Sequence, residues 1–216
     1  MSPVDPALSP AITRRLTGVV PVNMHLDVQW QAIRTARDAA KQAKRDLSPS
    51  LMLAWCISRA MSKHPAFCCT VQADGRIVEQ ADFDLGVAVA LEGDRLATAA
   101  IHQANRLDWR DFAAAYAQAV ARTRAGQVEN VQTSLILTSL GAFGIEKAIP
   151  IVVPPSMGTL FVGKAHMRMI GDQGLVSPVE VVTLSLTFDH RVVNGVGAAA
   201  FMHDVKVQTE SFVLPG

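Results

Sequence analysis

The stretch SLTFDHRVVNGVGAAAF, residues 185–201, constrains this chain more than any other. Leading into it, Val182, Leu184, Leu186 and Phe188 alternate with Val181, Thr183, Ser185 and Thr187, the period-2 pattern of a half-buried strand. Carrying the count two residues further puts His190 on the apolar face, a titratable ring delivered to a core-side position where the strand ends. Arg191 follows and reads as a residue that fixes the turn or a subunit contact rather than one that binds substrate. Asn194-Gly195 then open a small-residue helix, GVGAAAFMHDVKVQTESF, that closes the chain.

The remaining elements can be read in order. Three prolines in the first ten residues mark residues 1–11 as a flexible tail, with one ordered domain over 12–216. VVPVNMHL is a short strand, after which Asp27 caps a helix through VQWQAIRTARDAAKQAKR, whose Lys41, Lys44 and Arg45 form a solvated end. Ser48-Pro49 starts a second helix that stops before His64-Pro65, because the residue preceding proline avoids the helical region. FCCTVQADGRIVEQ reads as a hairpin with a type I′ turn at Asp74-Gly75, and FDLGVAVAL as a buried strand. A third helix begins at Asp108 and Asp111, buries Phe112, Tyr116, Ala119 and Val120, and ends at Gly126. TSLILTSLGAFG is apolar on both faces and interior to a sheet; IPIVVPPSMG is stiffened by prolines. TLFVGKAHMRMI is a strand with Phe161, Ala165 and Met167 opposite Lys164, His166 and Arg168. The whole is an α/β two-layer sandwich, a mixed, mostly antiparallel sheet with helices packed on it.

Composition narrows the functions. The chain has 216 residues, half of them apolar, enough for one domain with a substantial core. With 20 Lys and Arg against 19 Asp and Glu, nothing favours a nucleic-acid partner or an anionic membrane. No apolar run approaches the ~20 residues of a membrane span, and MSPVDPALSP has neither a basic nor an apolar signal region, so the expected location is cytoplasmic. Cys56, Cys68 and Cys69 are read as buried free thiols. Cys68 paired with His190 is an alternative nucleophile, but nothing in the sequence brings the two together. His25, His102, His166 and His203 have no partner at ligand spacing, and no metal site is expected.

FDHRVVNG resembles the DHRxxDG signature of the acyltransferase component of 2-oxo-acid dehydrogenase complexes, whose catalytic domain shares the chloramphenicol acetyltransferase fold. HPAF, DLGVAVAL, ARTRAGQ and TSLGAFGIEKAIPIVVPP occur in that family's order, so that the resemblance spans about residues 14 to 212. It implies acyl transfer between dihydrolipoamide and coenzyme A in the core of such a complex. It also implies a homotrimer with the site between subunits, and dehydrogenase partners; the family's larger cores dock an apolar C-terminus into a neighbouring trimer, and SFVLPG reads as either a weakened anchor or a segment folded back on its own subunit, which puts a bare trimer ahead of a 24-subunit cube. The lipoyl and subunit-binding modules that usually precede this domain are absent from this sequence, which is either an excised core or a chain that acts alone; the lipoyl group is expected in trans.

The chemistry suits the residues. A thiol of pKa ~8.5 needs a base, and an imidazole near pKa ~6.5 poised at the sulfur supplies one, which gives His190 its role. The resemblance gives Thr138, next to Ser139, the oxyanion role, worth ~3 kcal/mol. Asn194 stands where the family usually has aspartate, keeping shape and an acceptor oxygen while losing the charge, and Val131-Gln132 replace glycines ahead of the oxyanion strand. No residue is assigned to hold coenzyme A. Two other readings stay open: a stand-alone coenzyme A-dependent acyltransferase acting on a small molecule, and a non-catalytic oligomeric scaffold in which Asn194 marks decay.

Overall fold

The alternation that starts at Val22 runs through Met24 and Leu26 to Val28, and the computed structural model, which describes residues 16, 18–93, 95–129, 131–172 and 175–215, follows it. Strand β1 spans Pro21–Gln29. This corrects the expectation that Asp27 caps a helix: inside β1 its carboxylate accepts the Thr183 hydroxyl at 2.7 Å and pairs with Arg168. Helix α1 is Gln31–Gln42, with Trp30 at its N-cap and no side-chain cap. It stops short of Arg45, and Lys44 just beyond it adopts a left-handed φ of 57°. The expected tail over 1–11 lies outside the described residues.

Helix α2, Pro49–Met61, is capped by Ser48, whose Oγ accepts the Leu51 N–H at 3.1 Å, and it ends before His64-Pro65 as expected. Helix α3, Trp109–Arg124, is capped by Asp108, which accepts the Asp111 N–H at 2.8 Å. Helix α4 is Gly195–Glu210. Cys69–Val71 (β2) and Ile77–Glu79 (β3) form a separate hairpin. Its turn is longer than a two-residue type I′ turn: Gly75 is left-handed at φ 85° but Asp74 is not.

The other strands are β4 (Leu85–Leu91), β5 (Arg95–Ile101), β6 (Leu135–Ser139), β7 (Gly158–Val162), β8 (His166–Asp172) and β9 (Leu175–Asp189). Among the described residues they join β1 in a mixed sheet of order β1-β9-β7-β6-β4-β5, with β8 also on β9. Only β4–β6 and β6–β7 are parallel. TLFVGKAHMRMI is therefore two strands, broken at Gly163–Ala165, and β5 was not foreseen at all because its alanines carry little periodic signal.

One sheet face, carrying Leu85, Leu135, Leu137, Leu160, Leu184, Leu186 and Phe188, joins Ile33, Leu53, Ile57, Phe112 and Phe201 of the helices in one apolar cluster. On the opposite face the β1 side chains Asn23, His25 and Asp27 stand beside Thr187, Ser185 and Thr183. Strand β9 lies between β1 and β7, and every residue from Val181 to Asp189 is buried. The half-buried reading of this strand is thus corrected; its hydroxyl-bearing face is interior too. Near the C-terminus Phe212 is 8% exposed, packing its ring 5.9 Å from that of Trp109, whereas Val213 is 80% exposed. Phe212 burial is worth about 2 kcal/mol to its own subunit.

Candidate active site

Strand β9 ends on Asp189, not on the histidine. Asp189 is 1% exposed and accepts hydrogen bonds from the Arg191 backbone and Nε, both at 3.0 Å, and from Arg191 Nη2 at 2.5 Å. Burial pushes its carboxyl up, but the bonds from Arg191 more than reverse this and leave it below the usual carboxylate range. Arg191 thus fixes the turn, as expected. The Asp189 carbonyl takes the Val192 and Val193 N–H groups, and Val193 is buried as the turn's apolar anchor.

His190 is held by its backbone, which donates to the Val20 carbonyl at 2.8 Å, and its ring lies 6.0 Å from that of Phe188. The ring is exposed, which corrects its core-side placement: the period-2 count fails because the strand ends one residue earlier. Asn194 sits at the N-cap of α4 with extended backbone, yet its carboxamide makes no cap hydrogen bond. That is unusual for a residue so suited to capping, and it leaves the amide exposed beside His190 in sequence.

Thr138 and Ser139, adjacent on β6, face opposite ways. Ser139 Oγ donates to the Val162 carbonyl at 3.2 Å and accepts the Gly141 N–H at 3.4 Å. Thr138 is half-buried, and its hydroxyl bonds to no other group among the described residues. Just beyond, the Leu140–Gly144 turn closes with Gly144 at φ 85°, and the Lys164 N–H donates to the Ile145 carbonyl at 2.7 Å. Gly163 is obligatory there, since a β-carbon on it would stand 1.9 Å from the Glu146 carbonyl oxygen.

The register separates Thr138 from His190 within one chain. Thr138 pairs with Phe161 of β7, and Phe161 with Ser185 of β9, five residues before His190. At about 3.3 Å per residue and about 4.8 Å per strand the two lie roughly 19 Å apart. A cleft of about 360 Å³ opens where β6 and β7 end, lined by Trp30, Arg37, Ser50, Ser139, Gly163 and Lys164. It adjoins a second, about 320 Å³, across Trp30, Arg37, Pro49 and Ala165. Arg37 and Lys164 form no ion pair among the described residues. The sequence reading missed this cleft, because its wall is assembled from separate elements, α1, α2, β6, β7 and β9 among them.

Cys56 and Cys68 are pushed up to about 12 by burial, so neither is a thiolate at neutral pH, and Cys68 Sγ is turned toward the Met61 carbonyl at 3.3 Å. Cys68 is thereby excluded as a nucleophile. Among the described residues no cluster of His, Cys, Asp or Glu could hold a metal ion, and no helix is long and apolar enough to cross a membrane.

The chain resembles known proteins over nearly all its length. The dihydrolipoyllysine-residue acetyltransferase component of the acetoin cleaving system of Bacillus subtilis is 34% identical over 154 residues, covering 70% of this chain and 38% of that protein. The chain spans less than half the length of the curated relatives it matches. The solved dihydrolipoamide acetyltransferase of Azotobacter vinelandii superposes with a TM-score of 0.80 at 25% identity, covering 93% of this chain and 85% of that one. That structure was determined in an investigation of one serine, one histidine and one asparagine in its catalytic mechanism. The intervals between those three residues equal those between Thr138, His190 and Asn194. An asparagine four residues past the histidine is therefore not peculiar to this chain. A chloramphenicol acetyltransferase superposes with a TM-score of 0.58 at 15% identity, covering 91% of this chain and 92% of that one, and shares the fold. The model of the 2-oxoacid dehydrogenases acyltransferase catalytic domain matches residues 1–214, and the chain belongs to that family.

Proposed function

We propose that this chain transfers an acyl group between a dihydrolipoyl group and coenzyme A, at a site shared by two copies of itself. The observation that carries the reading is the pairing of Thr138 and His190 at the relative's intervals with their separation of roughly 19 Å in one subunit. In a trimer, one chain's His190 meets the neighbour's Thr138. The imidazole takes the thiol proton of the acceptor, the thiolate attacks the thioester carbon, and the Thr138 hydroxyl donates to the oxyanion. The tetrahedral intermediate then expels the donor thiolate, which takes the proton back from the imidazolium, so the base is regenerated. Arg37 and Lys164 make the cleft cationic, which suits the phosphates of coenzyme A as the substrate.

Assembly is supported by unpaired apolar surface. The β8–β9 ribbon exposes Met167, Met169, Leu175 and Val176 to between 61% and 75%, more than an isolated chain favours. Phe212 is spent on its own core, which supports a bare trimer over a larger particle. The acyl group is carried by a lipoyl-bearing domain, with dehydrogenase components as partners, and three unpaired cysteines suit a reducing compartment such as the cytoplasm.

The test uses acetyl-coenzyme A and free dihydrolipoamide. His190→Ala and Thr138→Ala each lose most of the transfer, His190→Ala by several orders of magnitude. When the two are co-expressed equally and assemble at random, each mixed trimer has one site in three that carries both groups, about a quarter of all sites, and activity returns to about that level. No recovery in mixed trimers refutes the shared site, near-normal transfer by His190→Ala refutes the chemistry, and a monomer in the analytical ultracentrifuge refutes both.

A further inference from the structure

We infer that His102 is a proton-operated clasp that fastens the connection between α3 and β6 to the end of β5. His102 is the first residue after β5, and its Nδ1 lies 2.7 Å from Asp84 Oδ2. The other Asp84 oxygen accepts the Gln103 N–H at 2.9 Å, supporting a turn in which Gln103 holds a left-handed φ of 48°. On its far side, His102 Nε2 lies 3.4 Å from Glu129 Oε2, in the connection.

The two contacts are not equivalent. A carboxylate only accepts, so Nδ1 carries its hydrogen toward Asp84 whether the ring is neutral or charged. In the neutral ring Nε2 is then a bare lone pair facing another carboxylate. Only the imidazolium donates to both acids, so a single proton makes or breaks the link to Glu129.

The surroundings favour that proton. The Asp84 hydrogen bond raises the His102 pKa above the ordinary histidine value, partial burial opposes it, and the charge of Asp84 and then Glu129 add to the rise. From α3, Arg122 Nη2 approaches Glu129 Oε1 at 3.5 Å and competes for it, while the neighbouring Asp82 is engaged with Arg106. A raised folded-state pKa places the contribution fully below about pH 6.5, and it is lost as pH rises through the higher folded value. The connection leads through Thr133, whose hydroxyl bonds Ser156, and Ser134, whose N–H is held by the Asp84 carbonyl, into the strand that carries Thr138. The clasp therefore tightens the approach to that strand on acidification, and it does not depend on the chemistry at His190.

The test follows the His102 ring by NMR across about pH 5 to 9 in the whole chain, with amide hydrogen exchange of residues 128, 129, 131 and 132 corrected for intrinsic rates. Protection of those amides should fall by a factor of about two to five as pH rises, the range an exposed ion pair supports, with the midpoint of the ring titration. Glu129→Gln should lower that midpoint and flatten the exchange profile; Arg122→Gln should raise the midpoint by removing the competitor. Exchange that ignores the His102 titration, or a midpoint unmoved by Glu129→Gln, overturns the clasp.

Discussion

Gly163→Ala is the smallest change that strikes the packing beneath the candidate site. The added carbon meets the Glu146 carbonyl oxygen at 1.9 Å and its carbonyl carbon at 2.7 Å, whereas ordinary contact begins at 3.4 Å. Backbone lies on both sides, so no rotamer relieves the clash, and the 145–147 segment must retreat from β7 by about 1.5 Å, the shortfall in van der Waals contact. Overpacking of this kind costs about 1–3 kcal/mol, and parting the chains also strains the Lys164 N–H bond to Ile145, worth about 1 kcal/mol. A total of about 2–4 kcal/mol lowers the melting temperature of a domain this size by about 5–15 °C. The same retreat pulls the Leu140–Gly144 turn off the end of β6, so acyl transfer should fall further than the loss of folded protein explains. Thermal melts followed by circular dichroism, with transfer assayed well below the transition, measure both. Gly171→Ala is the control, because its β-carbon finds nothing nearer than the Leu175 carbonyl oxygen at 3.9 Å. Should Gly163→Ala melt within about 1 °C of the parent, the close approach and its magnitude are wrong.

Asp189→Asn should cost about 1.5–3 kcal/mol by removing the charge that strengthens the hydrogen bonds from Arg191. The parent holds that stability above the ordinary carboxylate pKa of about 3.9 and loses it as pH falls through the depressed native value, so urea unfolding of the variant should lack this acid step. Thr138→Ala should reduce transfer by about 10²–10³, whereas Ser139→Ala, whose hydroxyl is engaged with Val162, should change it less than tenfold; steady-state rates in parallel decide which hydroxyl matters. Asn194→Asp should alter transfer by no more than about tenfold, or ~1.4 kcal/mol; a gain of many orders would support the scaffold reading.

Where one local signal acted alone, the sequence was readable. Ser48-Pro49, Asp108 and His64-Pro65 mark helix ends because capping and proline sterics operate over a few residues. Asp27 misled because it has the chemistry of a cap while sitting in a strand whose polar face is met by Thr183, Ser185 and Thr187; pairing across the sheet overrode local preference. His190 was identified from its motif yet placed on the wrong side, since periodicity cannot tell where a strand stops. Thr138 and Ser139 look alike in sequence and are told apart by the sheet, which turns them to opposite faces and engages Ser139 with the Val162 carbonyl and the Gly141 N–H. The cationic cleft was invisible because Arg37 and Lys164 come from distant elements.

Strand β9 does two tasks at its two ends: Leu175 and Val176 stand at the tip of the projecting ribbon, and Asp189 delivers His190 fifteen residues later. An extended chain is a ruler, here about 50 Å long at about 3.3 Å per residue. The reach from the exposed apolar ribbon tip to the His190 ring is thus metered by residue number. Removing one residue would shorten that reach and turn every following side chain to the other face. Length variation during descent should therefore be tolerated at the turns between strands and purged from β9, whatever residues occupy it.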